Sequence, residues 1–203
     1  MSGRVVQGCV VLAAGASSRM GEPKGLLVRA DGRTFLRAAI EALQRVDLAP
    51  LVVVLAHQRE ALARQVPDGV QCVVNPAPER GQKSSLALGL RALREAGAQA
   101  ALVQLVDQPP VHESTLRALL AAAQQDPHLL HTASHRGQPG HPAIFPTSLC
   151  DALESAPDTE GARDVIARLG LTMSPVEVDD PGVLLDLDTP EDLARWRADG
   201  EGA

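Results

Sequence analysis

The chain has no tyrosine, two phenylalanines and one tryptophan among its 203 residues. That scarcity removes the aromatic platforms on which single-stranded nucleic acid stacks. Basic residues are also in deficit, with 19 Lys and Arg against 25 Asp and Glu and a formal charge of −6. They are scattered rather than gathered into a stripe, so no nucleic-acid surface is expected. The three cysteines, Cys9, Cys72 and Cys150, are far apart and odd in number. They predict buried reduced thiols rather than a disulfide framework or a zinc site. No apolar run is long enough to span a bilayer, and the run after Arg4 is too short for a signal-peptide core. The expectation is a cytoplasmic protein with no membrane partner.

What is present is an alternation. Val5–Ala13, Leu51–Ala56, Val70–Val74 and Ala100–Val106 are continuous, β-branched apolar runs that predict buried strands. Between them, Phe35–Leu43, Arg59–Val66, Lys83–Ala96 and Ser114–Gln124 carry apolar residues at helical spacing, with Thr34 as the first N-cap. After about residue 127 the pattern loosens. Leu129–Ser134 and Pro142–Phe145 predict strands around the turn Arg136–Gly140. Thr147–Leu153 and Ala162–Leu169 predict helices, Thr172–Val178 and Val183–Leu187 strands, and Thr189–Arg197 a last helix. The reading is one domain over 1–203, a three-layer α/β/α, Rossmann-like fold with a mostly parallel sheet. Strand and helix alternate regularly over about 1–127 and less so over about 128–203.

The first strand empties into Ala13-Ala14-Gly15-Ala16-Ser17-Ser18-Arg19-Met20-Gly21-Glu22-Pro23-Lys24. Small residues leave backbone N–H groups open to an anion, and Arg19 and Lys24 add full positive charge, a combination suited to a triphosphate. Ligands of open parallel sheets lie at the carboxyl ends of the strands. Asn75, Asp107, Asp186 and Asp188 fall at such ends. Asp107, between an apolar strand and Gln108-Pro109, is either a turn former or a Mg²⁺ ligand. Asp186 and Asp188, on one side of an expected strand, suit a metal. Thr189 or Asp188 capping a helix with Pro190 at its first position explains much of the same segment. Gly81–Ser85 opens a helix and either caps it or binds a base or phosphate. His57, His112, His128, His131 and His135 have no metal-ligand spacing and are expected at surfaces or turns. His141, in Gly137-Gln-Pro-Gly-His-Pro142, stands apart. Neither a Gly-x-x-x-x-Gly-Lys-Ser/Thr loop nor Gly-x-Gly-x-x-Gly occurs at the first strand.

With these residues in view, the chain resembles the nucleotidyltransferases of the molybdenum cofactor branch. The opening loop is similar to that superfamily's Leu-Ala-Ala-Gly-x-x-x-Arg-Met-Gly-x-x-Lys, here Leu12 through Lys24. Asn75-Pro76, Gly81-x-x-x-Ser85, Asp107-Gln-Pro, Gly140-His141-Pro142 and Asp186-Leu-Asp-Thr-Pro-Glu-Asp192 follow in the same order. The Ala-Ala-Gly spelling resembles the cytidylyltransferases of the branch more than its guanylyltransferases. The resemblance implies a nucleotidyltransferase fold and transfer of CMP from CTP to the phosphate of molybdopterin, with pyrophosphate leaving. It also implies that Leu12, Ala13, Ala14, Gly15, Arg19, Lys24, Asn75, Gly81 and Ser85 hold the nucleotide. A nucleotide-binding half would cover about 1–127 and an acceptor-binding, metal-completing half about 128–203, with Gly140, His141 and Pro142 facing the acceptor. Asp107 with Asp188, or Asp186 in its place, would hold Mg²⁺. A molybdoenzyme or its maturation factor is an implied protein partner. The competing readings are a guanylyltransferase of the same pathway, a transferase for another phosphorylated acceptor, and a binding or delivery module without turnover.

Overall fold

The computed structural model describes residues 5, 7–56, 60–126 and 129–200. Expectations for His57, Arg59 and His128 lie outside the described residues. The strands are β1 (Gln7–Ala13), β2 (Leu51–Ala56), β3 (Gln71–Asn75), β4 (Ala100–Leu105), β5 (Leu130–His135), β6 (Gln138–Pro146) and β7 (Met173–Glu177). They form one seven-stranded sheet in the order β3-β2-β1-β4-β6-β5-β7. All neighbours run parallel except β6, which is antiparallel to both β4 and β5. The helices are α1 (Phe35–Arg45), α2 (Glu60–Ala63), α3 (Gln82–Glu95), α4 (Glu113–Gln125), α5 (Cys150–Ser155), α6 (Ala162–Arg168) and α7 (Pro190–Ala198).

Alternation along the central strands builds the three layers. Cys9, Val11, Val53 and Leu55 pack with Leu36, Ile40 and Leu43 of α1 and Leu116 and Leu119 of α4. Val10, Leu12, Val52 and Val54 point the other way, onto Leu86, Leu90 and Leu93 of α3 and Leu153 of α5. Successive strand side chains face opposite sides, so an uninterrupted apolar strand is what a sheet covered on both faces requires. Thr34 caps α1 by accepting from Arg37 N at 3.2 Å, a contact of about 1 kcal/mol.

Four expectations are corrected. β3 is not buried, because it is an edge strand: Gln71, Cys72 and Val74 are exposed, so Cys72 is not a core thiol. The turn between β5 and β6 is only Arg136-Gly137, both at positive φ as a tight hairpin wants, and β6 runs through Pro139 and Pro142. Those prolines are tolerated because β4 pairs only with residues 143–146, leaving that flank of β6 without a ladder. His131 and His135 are buried in β5 rather than exposed, each ring facing a backbone carbonyl, of Asp126 and Val178 respectively. Val183–Leu187 is not a strand. Asp180 accepts from Gly182 N at 3.0 Å and starts a single 3-10 turn over Pro181–Leu184. The chain continues irregularly to Thr189, which caps α7 in a reciprocal pair with Asp192.

The order β2-β1-β4 places the chain's reversal of strand order beside β1. That is the position where open α/β sheets leave a crevice. The loops after β1 and β4 both open there.

Candidate active site

The loop after β1 is a cradle. The backbone N–H groups of Gly15 and Ala16 make no hydrogen bond among the described residues, so they are available to an anion. Ser17, at φ 53, turns the loop and accepts from Lys24 N at 3.1 Å. This bond folds the segment back so that Lys24 meets the end of β4. Nothing in residue type alone distinguished Ser17 from Ser18.

Lys24 Nζ lies 3.1 Å from Asp107 Oδ2 and 2.5 Å from Asp188 Oδ1, and Arg19 Nη2 reaches Asp188 Oδ2 at 2.8 Å. Burial pulls the Lys24 pKa down, but the hydrogen bonds and charges of Asp188 and Asp107 outweigh it and the net shift is upward. The hydrogen bond from Lys24, then its charge and that of Arg19, hold the Asp188 carboxyl below the usual carboxylate range. Lysine, arginine and two aspartates therefore form one electrostatic unit drawn from three distant parts of the chain.

Asp186 is elsewhere. Its Oδ1 accepts from Gln108 Nε2 at 2.9 Å, whereas Asp188 meets Lys24 and Arg19, and the segment carrying both belongs to no strand of the sheet. Leu187 N donates to Asp107 O at 3.0 Å, which sets the Asp188 segment against the end of β4. Asp107 and Asp188 converge on one nitrogen and present hard oxygen donors. They fit Mg²⁺, which takes one or two carboxylates and completes its shell with water and substrate phosphate oxygens. No group of three or more metal-ligating residues occurs among the described residues. A cation here would depend on substrate oxygens.

This unit lines a cleft of about 330 Å³ together with Leu12, Ala13, Ala14, Gly15, Gly81 and Ser85. Gly81, at φ +81, makes the turn into α3 that exposes the helix's first residues to the cleft. Asn75 does not line it. Its amide is 1% exposed and donates to Ser84 Oγ at 2.8 Å and Ser85 Oγ at 2.9 Å, while its oxygen accepts from Ala77 N. Asn75 thus acts through Ser85. Ser84 binds back to the Gly81 carbonyl, so the two serines divide the roles between them: Ser84 braces the turn and Ser85 faces the cleft.

A second pocket, of about 730 Å³, adjoins the first through Leu12 and Gln82, which line both. Its walls are mainly apolar, with Thr132, Gly140, His141 and Arg163 among the exceptions. Arg163 makes no ion pair among the described residues, and no local sequence signal marked it. Burial pushes the His141 pKa down, against the charges of Asp186 and Asp107, and its buried Nδ1 has no hydrogen-bond partner among the described residues. Gly140 has a packing reason as well, since a Cβ there would collide with the Val183 carbonyl. Pro142 is buried and lines neither pocket.

The MobA-like NTP transferase domain matches residues 9–173. A molybdenum cofactor guanylyltransferase of Sinorhizobium fredii is 33% identical over 91% of this chain and 87% of that protein. A probable molybdenum cofactor guanylyltransferase of Rhodopirellula baltica is 30% identical over 74% of this chain and 73% of its own length. A nicotine blue oxidoreductase of Paenarthrobacter nicotinovorans is 28% identical over 92% of this chain and 94% of that protein. Among solved structures, Rv0371c of Mycobacterium tuberculosis has a TM-score of 0.79 at 28% identity, covering 95% of this chain and 97% of that one. A manganese complex of Rv0371c, at 25% identity, has a TM-score of 0.71 and covers 94% and 97%. The small-residue loop, the acidic strand end and the domain match lead to one conclusion: this chain is a nucleotidyltransferase of the MobA-like NTP transferase family.

Proposed function

We propose that the protein transfers CMP from Mg²⁺-bound CTP to the terminal phosphate of molybdopterin-type molybdenum cofactor. The observation that carries this reading is the meeting of Arg19, Lys24, Asp107 and Asp188 in a cleft that adjoins a largely apolar second pocket. The cleft suits a triphosphate, and the second pocket suits a ring system bearing a phosphate that must reach across Leu12 and Gln82.

An oxygen of the acceptor phosphate attacks the α-phosphorus, a new P–O bond forms, and the bond from the α-phosphorus to the bridging oxygen of pyrophosphate breaks. The acceptor oxygen is already anionic at neutral pH, so no strong general base is required. Positioning and charge stabilisation carry the rate. The Gly15 and Ala16 amides and the Arg19 and Lys24 cations would hold the triphosphate and neutralise charge gathering on the leaving group. Asp107 and Asp188 would hold Mg²⁺, which supplies Lewis-acid polarisation of the phosphoryl oxygens. Thr132, His141 and Arg163 line the second pocket and would meet the acceptor's polar atoms.

CTP is favoured by the Ala13-Ala14-Gly15 spelling, whereas two relatives are named guanylyltransferases, which supports GTP as the second reading. Pyrophosphate release measured with CTP, GTP and ATP, with and without molybdenum cofactor and Mg²⁺, tests both. Release that requires cofactor and prefers CTP is expected. A preference for GTP would move the donor, and binding without release would remove transferase action on this cofactor.

A further inference from the structure

Lys83 is a buried amino group that the transfer chemistry leaves unused. It stands in the first turn of α3 at 3% exposure, and lysine is rarely so buried without an acidic partner. It has no such partner among the described residues. Its Nζ instead donates to the carbonyls of Ala156, at 2.9 Å, and Pro157, at 2.5 Å. Those carbonyls belong to the connection between α5 and α6, whose end at Gly161, with Ala162 and Arg163 of α6, lines the second pocket. Arg80 makes a parallel tie, its Nε at 2.7 Å from Asp158 Oδ1. On the other side, Lys83 is flanked by Gln82, which lines both pockets, and followed at Ser85 by a wall of the nucleotide cleft.

We propose that Lys83 is a positioning residue that joins the wall of the nucleotide cleft to the wall of the second pocket. Occupation of one is thereby transmitted to the other. The inference rests on the nucleotidyl-transfer reading for its acceptor. Its physical content is a mechanical link of two hydrogen bonds across elements 73 residues apart in sequence. A simple structural lysine would hold the fold together. A positioning lysine shifts acceptor binding while leaving the nucleotide subsite intact, because neither Lys83 nor the carbonyls it holds touch the triphosphate cleft.

The test uses the 203-residue chain with Lys83→Met, which keeps an unbranched apolar stem one atom shorter and removes the donors, and Lys83→Arg, which restores donors. Amide hydrogen exchange is followed over residues 156–164 with and without Mg²⁺ and CTP or GTP, whichever the wild type binds. In the wild type, nucleotide slows exchange in that segment. In Lys83→Met the segment exchanges about tenfold faster or more, the scale of one or two ordinary hydrogen bonds, and no longer responds to nucleotide. The nucleotide dissociation constant stays unchanged, the KM for molybdenum cofactor rises about tenfold by the same argument, and Lys83→Arg recovers most of both effects. Unchanged exchange in 156–164, or equal losses in nucleotide and acceptor binding, would overturn the proposal. If Lys83→Met cannot be isolated folded, the wild type and Lys83→Arg decide: nucleotide must slow exchange over residues 156–164 in both, and no slowing in either overturns the link. A wild type that binds nucleotide but transfers nothing would refute the transfer reading, and the exchange response would still decide the link.

Discussion

The amino group of Lys24 and the carboxylate of Asp188 meet at 2.5 Å although they are 164 residues apart in the chain. The same nitrogen reaches Asp107, so a cation proposed for the phosphates sits between two carboxylates proposed for the metal. A Mg²⁺ entering this place must displace Lys24, and a displaced Lys24 is free to meet phosphate. Metal and nucleotide should therefore bind synergistically. Calorimetry should find nucleotide binding weak without Mg²⁺ and strengthened by it in the wild type. Asp188→Asn should bind metal-free nucleotide more tightly than the wild type, because Lys24 and Arg19 lose a competing partner, and should gain less from Mg²⁺. Identical behaviour of the two proteins would contradict the exchange of partners.

Lys24→Ala and Asp107→Ala should each lower turnover by about 10²–10³-fold, the usual loss when one preorganised charge partner is removed. Both side chains are partly open to the cleft, so the variants should remain folded. Steady-state pyrophosphate release beside a circular dichroism spectrum checks this, and near-normal turnover in either would remove the residue from the mechanism.

Gly140→Ala should destabilise the protein by about 1–3 kcal/mol, the range for forcing atoms into a packed interior, with a Tm drop of several degrees. The added methyl group meets the Val183 carbonyl of the 3-10 turn that precedes Asp186 and Asp188. A loss of Mg²⁺-dependent nucleotide affinity should accompany the lower Tm. Thermal melts and titrations on the same sample test the pair of effects.

His141 gives a pH signature. Burial lowers its pKa in the folded state, so the unfolded chain binds the proton more readily near the ordinary value of about 6.5. Stability contributed by neutral His141 is present above that value and is lost as pH falls through it toward the depressed folded value. Denaturation midpoints from pH 7.5 down to 5 should fall less steeply for His141→Gln than for the wild type. Parallel curves would show that burial of the ring costs nothing on protonation.

The side proposed to face the nucleotide is the more legible in sequence. Leu12 to Lys24 announces itself because an apolar strand ends in small residues followed by two cations, and Asp107 stands where an apolar strand must turn. The Asp186–Asp188 segment misled because two alternating aspartates beside valine and leucine imitate a strand, whereas the Asp180 side chain closes a 3-10 turn first. Asn75 misled differently: its place at a strand end is right, but its amide is spent on Ser84 and Ser85. Lys83 and Arg163 carried no local mark, because what makes them notable is a partner, or a pocket, brought from far along the chain.

The mutual pairing of Arg19, Lys24, Asp107 and Asp188 has a kinetic consequence. Two positive and two negative groups are joined by three ion pairs, so the cleft projects little net charge beyond itself. Such a mouth does not steer anions from a distance, and the chain around it is net negative. Nucleotide capture should then be unslowed or even quickened by added salt, which screens the repulsion, with attraction arising only after arrival, when the pairs open.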